Sequence, residues 1–245
     1  MRKLLAAILR RIPDKALLFT GKVIGFVAQM VAMGFWLGVG FTFAAVLVLS
    51  WFGRAHAESI PAAALRYRSE VIRAARVEAG LAAPVAVFAA QVEQESGWNP
   101  QAISPVGARG LGQFMPLTAR DMGRTRPDLG PASPTNPGWA IRALVAYDLT
   151  NLKRIRAATS PATQCDAWAL TLMAYNGGLG WVWRDQAKAK AQGLDPGLWQ
   201  SVASVNAGRS IAAKRENTGY PRAILLGRQP KYLAWGPGIL CEVPQ

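Results

Sequence analysis

Glu95 is the residue of this chain best placed to move a proton. It lies in the run Gln94-Glu95-Ser96-Gly97-Trp98-Asn99-Pro100, where Gly97 and Asn99-Pro100 must stop any helix that precedes them. A carboxyl at the C-terminal end of a helix meets the partial negative charge of the helix dipole, which disfavours its ionised form. Trp98 and the apolar residues before Glu95 are expected to add desolvation, which pushes the same way. These effects together raise a carboxyl by ~1–3 pKa units. An acid raised so far can donate a proton near neutral pH and later take one back. Taken alone, a Glu at a helix end is a solvated charge. Glu93, two residues earlier, points to another side of the same helix and reads as a surface charge.

Other chemistries find no residues. The chain has a single His, His56, and two cysteines, Cys165 and Cys241. Zinc spacings need three or four ligands, so no metal and no cofactor are expected. A Ser-His-Asp triad would need His56, which sits beside a long uncharged stretch at the N-terminal side. The two cysteines form one disulfide in an oxidising compartment, or remain two separate buried thiols; spacing alone does not choose. The formal net charge is +14, which calls for a polyanionic partner. Residues 1–52 hold six basic residues against Asp14, and the rest holds 22 against 13 acidic ones, with no long basic run. A nucleic-acid partner is therefore not expected.

The elements that must position Glu95 are helical. Leu65, Val71, Ile72 and Ala75 fall at helical spacing over residues 61–79, and Gly80 suits the stop. Pro84 begins a second helix, with Val85, Phe88, Ala89 and Val92 as its apolar stripe. Three glycines between Gly107 and Gly112 predict a turn-rich segment, and a further helix begins at Gln113 and runs to Asp121. Residues 127–137 hold four prolines and read as loop. Longer helices are predicted over 139–155 and 165–175. Trp181 and Trp183 read as core rather than as sugar-stacking rings. Strand alternation is scarce, so the fold class is mostly α, with one catalytic domain.

One N-terminal helix of another kind is expected before that domain. Residues 23–52 hold no charge, enough to span a bilayer as a helix. The basic residues lie in 1–22, which the positive-inside rule places in the cytoplasm. Residues 53–60 then form a linker, and the domain beyond it is expected to be translocated. Gly34 and Gly38 have the spacing that packs membrane helices together. Ala55-His56-Ala57 resembles a signal-peptidase site, but the apolar run exceeds the usual h-region, so a retained anchor is favoured over a cleaved signal.

The run from Glu95 to Pro116 resembles the signature of the soluble lytic transglycosylases, a lysozyme-like family. Glu95-Ser96, Asn99-Pro100, Ser104, Gly107-Ala108, Gly110-Leu111, Gln113 and Met115-Pro116 fall on the family's positions. Asn136-Pro137 with the helix through Tyr147, then Ala174-Tyr175-Asn176-Gly177-Gly178, then Glu216 with Tyr220, match its later motifs in order. The departures are Gly112, where the family often has Met, Asn217, where Thr is usual, and Pro221, where Val is common. The resemblance implies a catalytic domain over residues 61–227 and leaves 228–245 as a tail.

By that resemblance Glu95 is the catalytic residue, acting as acid and then as base on the MurNAc-β-1,4-GlcNAc bond of peptidoglycan glycan strands. The C6 hydroxyl of the same muramic acid closes onto C1 and gives a 1,6-anhydro end, an intramolecular attack that needs neither water nor metal. Substrate-binding roles fall to Ser96, Ser104, Gln113, Met115, Tyr175, Asn176, Glu216 and Tyr220. Other readings stay open, since Asn176-Gly177 is a turn signal anywhere and Met is usually core. Also open are a lysozyme-type hydrolase on the same fold and a non-catalytic wall-binding subunit of a membrane-spanning machine. The expected location is the bacterial inner membrane, single-pass through residues 23–52, with the domain in the periplasm. Release from the membrane, as in phage endolysins with signal-anchor-release segments, is a further reading. Oligomeric state and biological setting are left open.

Overall fold

The apolar spacings and helix stops divide residues 59–241, those described in the computed structural model, into a chain of helices. Residues 1–22, the uncharged stretch 23–52 and His56 lie outside the described residues. Among the described residues, no helix is long and apolar enough to cross a membrane.

The first predicted helix is two pieces, α1 (Ala62–Leu65) and α2 (Arg68–Ala79). Leu65, expected in the apolar stripe, is exposed. Tyr67 turns inward between the two pieces and stacks on Trp98, ring centroids 6.0 Å apart. Next, α3 (Val85–Ser96) is buried on all sides from Val85 to Val92, so it is the central helix rather than an amphipathic one. It ends at Gly97, whose φ of 57° is the left-handed stop that glycine adopts without strain.

The loop after α3 folds back on itself through two isolated bridges, Ile103 with Arg109 and Arg109 with Phe114. Gly110 is irreplaceable there: its φ is +76° and an added Cβ would fall 1.7 Å from the Pro134 carbonyl oxygen. The next helix, α4 (Pro116–Thr125), starts three residues later than expected, because Pro116 holds Met115 extended and then serves as the first helical residue. A short 3₁₀ turn, Pro127–Leu129, precedes α5 (Pro137–Ala158). The Asn136 side chain caps α5 by accepting from the Trp139 N–H at 3.1 Å.

Then come α6 (Gln164–Gly177), α7 (Leu179–Ala191), α8 (Trp199–Ser204) and α9 (Ile211–Arg222). Helix α5 packs between α2 and α6, and α6 in turn bears α7 and α9. Pro221 lies inside α9. It offers no N–H and its ring crowds the preceding turn, and the chain loosens directly after it into a π-helical turn, Ala223–Arg228.

The residues set apart as a tail belong to the folded unit, which corrects the boundary expected at residue 227. Helix α10 (Gln229–Tyr232) and the π-turn pack against α3. Tyr232 is fully buried, and Trp235 nearly so, against Trp98. Glu93 is their anchor, not a solvated surface charge: it accepts from the Tyr232 hydroxyl and from Lys231 Nζ at 2.8 Å. Cys241 is bonded to Cys165 at the start of α6 in a disulfide, Cα atoms 5.2 Å apart.

Candidate active site

Helix α3 delivers Glu95 to the floor of a cleft of about 1080 Å³. The side chain keeps an opening to the cleft while protein surrounds the rest of its carboxyl. That burial pushes its pKa from 4.5 up to about 7; the Tyr220 hydroxyl, which donates to Oε1, pulls it back, and the Glu216 charge pushes it up further. The physical cause is thus desolvation. Trp98 is not the source of it: its ring turns away into the cluster of Tyr67, Tyr232 and Trp235, and its Nε1 donates to the Tyr232 hydroxyl at 2.8 Å.

Three aromatic rings pack against one another beside Glu95. Tyr147 on α5, Tyr175 on α6 and Phe114 from the loop meet with centroids 5.4 to 6.3 Å apart, and all three line the cleft. The Tyr175 hydroxyl donates to the Gly112 carbonyl at 2.6 Å. Gly112, noted as a departure from the family pattern, is what allows this closeness: a Cβ there would lie 2.8 Å from the Phe114 ring and 3.1 Å from the Tyr175 hydroxyl.

The opposite wall is one face of α9. Ile211, Arg215 and Gly219, with Ala212, Glu216 and Tyr220 beside them, recur at intervals of four and so share that face. Glu216 therefore brings a second carboxylate into the cleft, exposed and within reach of Asn176 Nδ2 at 3.4 Å. The position of α9 depends on Asp185 of α7, fully buried, which binds Arg209, Lys214 and the Ala207 N–H. Asn217 ties the same network to the site. Its amide donates to the Met173 carbonyl at 2.8 Å and to Asn176 Oδ1 at 3.0 Å, and its oxygen accepts from Arg209. Asn217 thus holds Asn176 in place.

Of the sequence-derived site residues, Glu95, Ser104, Gln113, Met115, Tyr175, Asn176, Glu216 and Tyr220 all line the cleft. Gln113 does so at φ 46°, with its amide nitrogen already bonded to the carbonyls of Ala102 and Gly110, so its oxygen is what faces a ligand. Ser104 receives the Ala108 N–H and shapes the loop. Met115 is exposed at the lip, not core. Ser96 is elsewhere: its hydroxyl joins the Val92 and Leu111 carbonyls and ties α3 to the loop without reaching the cleft. The reasoning from sequence missed Tyr147, Phe114, Ile211 and Arg215 as wall residues; for the last two, the positions directly before Ala212 and Glu216 on the same helical face, the spacing of four back from Tyr220 was only an indirect signal. Trp183 is exposed, and Trp181 is half-buried under the Arg184 guanidinium at 4.6 Å, so neither is core. Among the described residues no cluster of His, Cys, Asp and Glu is grouped to hold a metal.

Residues 71–196, half of the chain, match the family described as Transglycosylase SLT domain. That span includes Glu95 and Asn176 and stops before Glu216. A membrane-bound lytic murein transglycosylase F from Shewanella pealeana is 37% identical over 119 residues, 48% of this chain and 22% of that protein. The protein of the same name from Vibrio cholerae is 34% identical over 116 residues, 47% of this chain and 20% of its own length. The chain thus spans about a fifth of the curated relatives it matches. Among solved structures, the 70 kDa soluble lytic transglycosylase SLT70 from Escherichia coli matches with a TM-score of 0.50 at 22% identity, over 70% of this chain and 25% of that one. This last likeness shows the fold alone.

Proposed function

The chain belongs to the transglycosylase SLT domain family, and we propose that it cleaves the MurNAc-β-1,4-GlcNAc bond of peptidoglycan as a lytic transglycosylase. The observation that supports this most is a buried acid at the floor of an open cleft, with its pKa at about 7. Such a group is protonated often enough to protonate a leaving oxygen and is a usable base once it has done so. Glu95 first gives its proton to the glycosidic oxygen as the C1–O bond breaks. The 2-acetamido group of the substrate steadies the positive sugar. Glu95 then takes the proton of the C6 hydroxyl, whose oxygen bonds C1 and closes the 1,6-anhydro ring. The Tyr220 hydroxyl holds Glu95 in place and stabilises its charged state between the two steps. Gln113 Oε1, Asn176, Glu216, Tyr175 and the lip residue Met115 are positioned to receive the sugars.

One observation favours a second reading. Glu216 places another carboxylate in the same cleft, as water-activating glycosidases require. A lysozyme-type hydrolase would then give hydrated muramic ends. Mass spectrometry of the muropeptides released from purified sacculi separates the two, since the anhydro product is lighter by one water. Anhydro ends from the wild-type protein, lost in Glu95→Gln by ~10²–10⁴-fold in rate, are the expected result. Only hydrated ends would establish the hydrolase, and full activity in Glu95→Gln would remove Glu95 from the mechanism. No release from either protein would favour the wall-binding subunit.

The proposed setting is the bacterial inner membrane, spanned once through residues 23–52, with residues 61–241 in the periplasm. The basic residues before an uncharged stretch support it, as does the membrane-bound naming of the relatives. A protein released by carbonate extraction would point instead to a cleaved or releasable anchor.

A further inference from the structure

Near Glu95, closed off from solvent, lies a carboxyl that the mechanism does not use. Asp148 of α5 is fully buried, as is Gln91 of α3. Gln91 sits four residues before Glu95, so the two share one face of the catalytic helix. Gln91 Nε2 lies 3.5 Å from Asp148 Oδ1. The other halves of both groups, Gln91 Oε1 and Asp148 Oδ2, are buried with no hydrogen-bond partner, as are the amide atoms of Asn151 one turn further along α5. The groups that face Asp148 are Gln91 and Glu95 on α3, Tyr147 on its own helix α5, Tyr175 on α6 and Tyr220 on α9. None of them is a cation.

An ionised Asp148 would be an uncompensated charge in the core, with one acceptor oxygen pointing at nothing and an amide oxygen beside it that lacks a donor. A single proton resolves both. A carboxylic acid can donate through one oxygen and accept through the other, while a primary amide does the reverse. The two groups therefore match as a reciprocal pair. We propose that Asp148 is held as the neutral acid, paired through two hydrogen bonds with the Gln91 amide, and that this pair fixes the turn of α3 from which Glu95 projects. Burial pushes the Asp148 carboxyl well above the usual carboxylate range, which agrees with the geometry. Asp148 is a positioning residue in this scheme, since it touches neither substrate nor the reacting atoms. Its neutrality also leaves Glu95 as the one carboxyl of the buried floor that changes charge during turnover.

Infrared spectroscopy of the full chain reads the proton directly. Glu95→Gln removes the neighbouring carboxyl whose pKa is also raised, and in that background a protonated-carboxyl band should persist from acid pH through neutral pH. The band should vanish in Glu95→Gln/Asp148→Asn. A band that is lost by neutral pH overturns the proposal, and this result does not depend on whether the chain cleaves peptidoglycan. The positioning role rests on the reading of Glu95 as the acid, and kinetics test it. Asn is neutral and can keep both bonds to Gln91. Asp148→Asn alone should hold kcat within about threefold and leave the alkaline limb of the kcat/KM profile in place. Asp148→Leu, which fills the space but cannot pair, should lower kcat by about tenfold or more with little change in KM. A limb that moves down by about one unit in Asp148→Asn would mean that Asp148 is an anion raising Glu95, and would refute the neutral pair.

Discussion

Tyr220→Phe should move the pH dependence of activity upward, and the site sets the size of the movement. The Tyr220 hydroxyl donates to Glu95 Oε1, and the residue is nearly fully buried. Burial and the neighbouring Glu95 charge push its own pKa well above the ordinary phenol range, so it stays a donor at every working pH. The bond favours the carboxylate and holds Glu95 down, against a larger effect of burial that leaves it at about 7. A hydrogen bond to a charged group is worth ~1.5–3 kcal/mol, and one pKa unit is about 1.36 kcal/mol. Losing the hydroxyl therefore raises Glu95 by ~1–2 units. Since kcat/KM requires the protonated acid, its alkaline limb should shift from about 7 to roughly 8 or 9. Below the limb, kcat should fall, because a weaker acid donates less readily and its orientation is lost. Muropeptide release from sacculi, measured from about pH 5 to pH 10, reads both. Phe keeps the ring packing, so folding is not the variable. A limb that stays at its wild-type position, or moves down, refutes the account of how Glu95 is set.

Glu95→Gln should make the protein more stable at high pH. The folded-state pKa is raised, so the folded protein binds the proton more tightly than the unfolded chain, and stability is lost as pH rises from about 4.5 through about 7. Denaturant titrations should show the variant ahead by up to about 3 kcal/mol above pH 7 and level with wild type below about pH 4. Opening the disulfide should destabilise the domain. The bond closes a separation of 76 residues, for which loop closure alone gives about 4.5 kcal/mol and measured losses run at ~2–5 kcal/mol. Cys165→Ser, or wild type under reductant, should show that loss in a denaturant titration, and a midpoint equal to the oxidised protein would show that the bridge does not form.

How much of this was legible from sequence depended on where the partners lie. Helices α3 and α5 could be read because their stops and starts are local: Gly97, Asn136 and Pro137 act within a residue or two. Helix α9 could not. Its first half, Ala212 to Glu216, is made of good helix formers, but Asn217, Thr218, Gly219 and Pro221 make its second half a poor helix by propensity. What holds it is Asp185, reached by Arg209 and Lys214 across 24 and 29 residues. The same is true of the C-terminal residues. Tyr232 and Trp235 carry no local signal of their role, because Glu93 and Trp98 lie well over a hundred residues earlier. Most of the residues named from the motifs line the cleft, since each motif is contiguous in sequence. Ser96 was misplaced for the opposite reason: adjacency to Glu95 in sequence is a turn of about 100° on a helix, which sends its hydroxyl to the Leu111 carbonyl instead of the cleft.

The same geometry explains how two acids two residues apart acquire opposite tasks. Glu93 and Glu95 are separated by about 200° around α3, so they cannot face the same surroundings. Glu93 points toward the C-terminal residues and finds Lys231, the Tyr232 hydroxyl and, at 3.9 Å, Arg228. A carboxylate with cations and hydroxyl donors around it serves as a fastener. Glu95 points the other way and finds Tyr175 and Tyr220, a buried Asp148 and the exposed Glu216, with no cation among the groups that shift it. That is the environment the proposed mechanism asks of its acid. The fastener also serves the acid. By locking the π-turn and α10 against α3, Glu93 fixes the segment directly after Tyr220, and the Tyr220 hydroxyl offsets part of the rise that burial gives the Glu95 carboxyl. The C-terminal residues, which no sequence motif marked, are thus packed against the helix that carries Glu95 and joined to the segment that follows Tyr220.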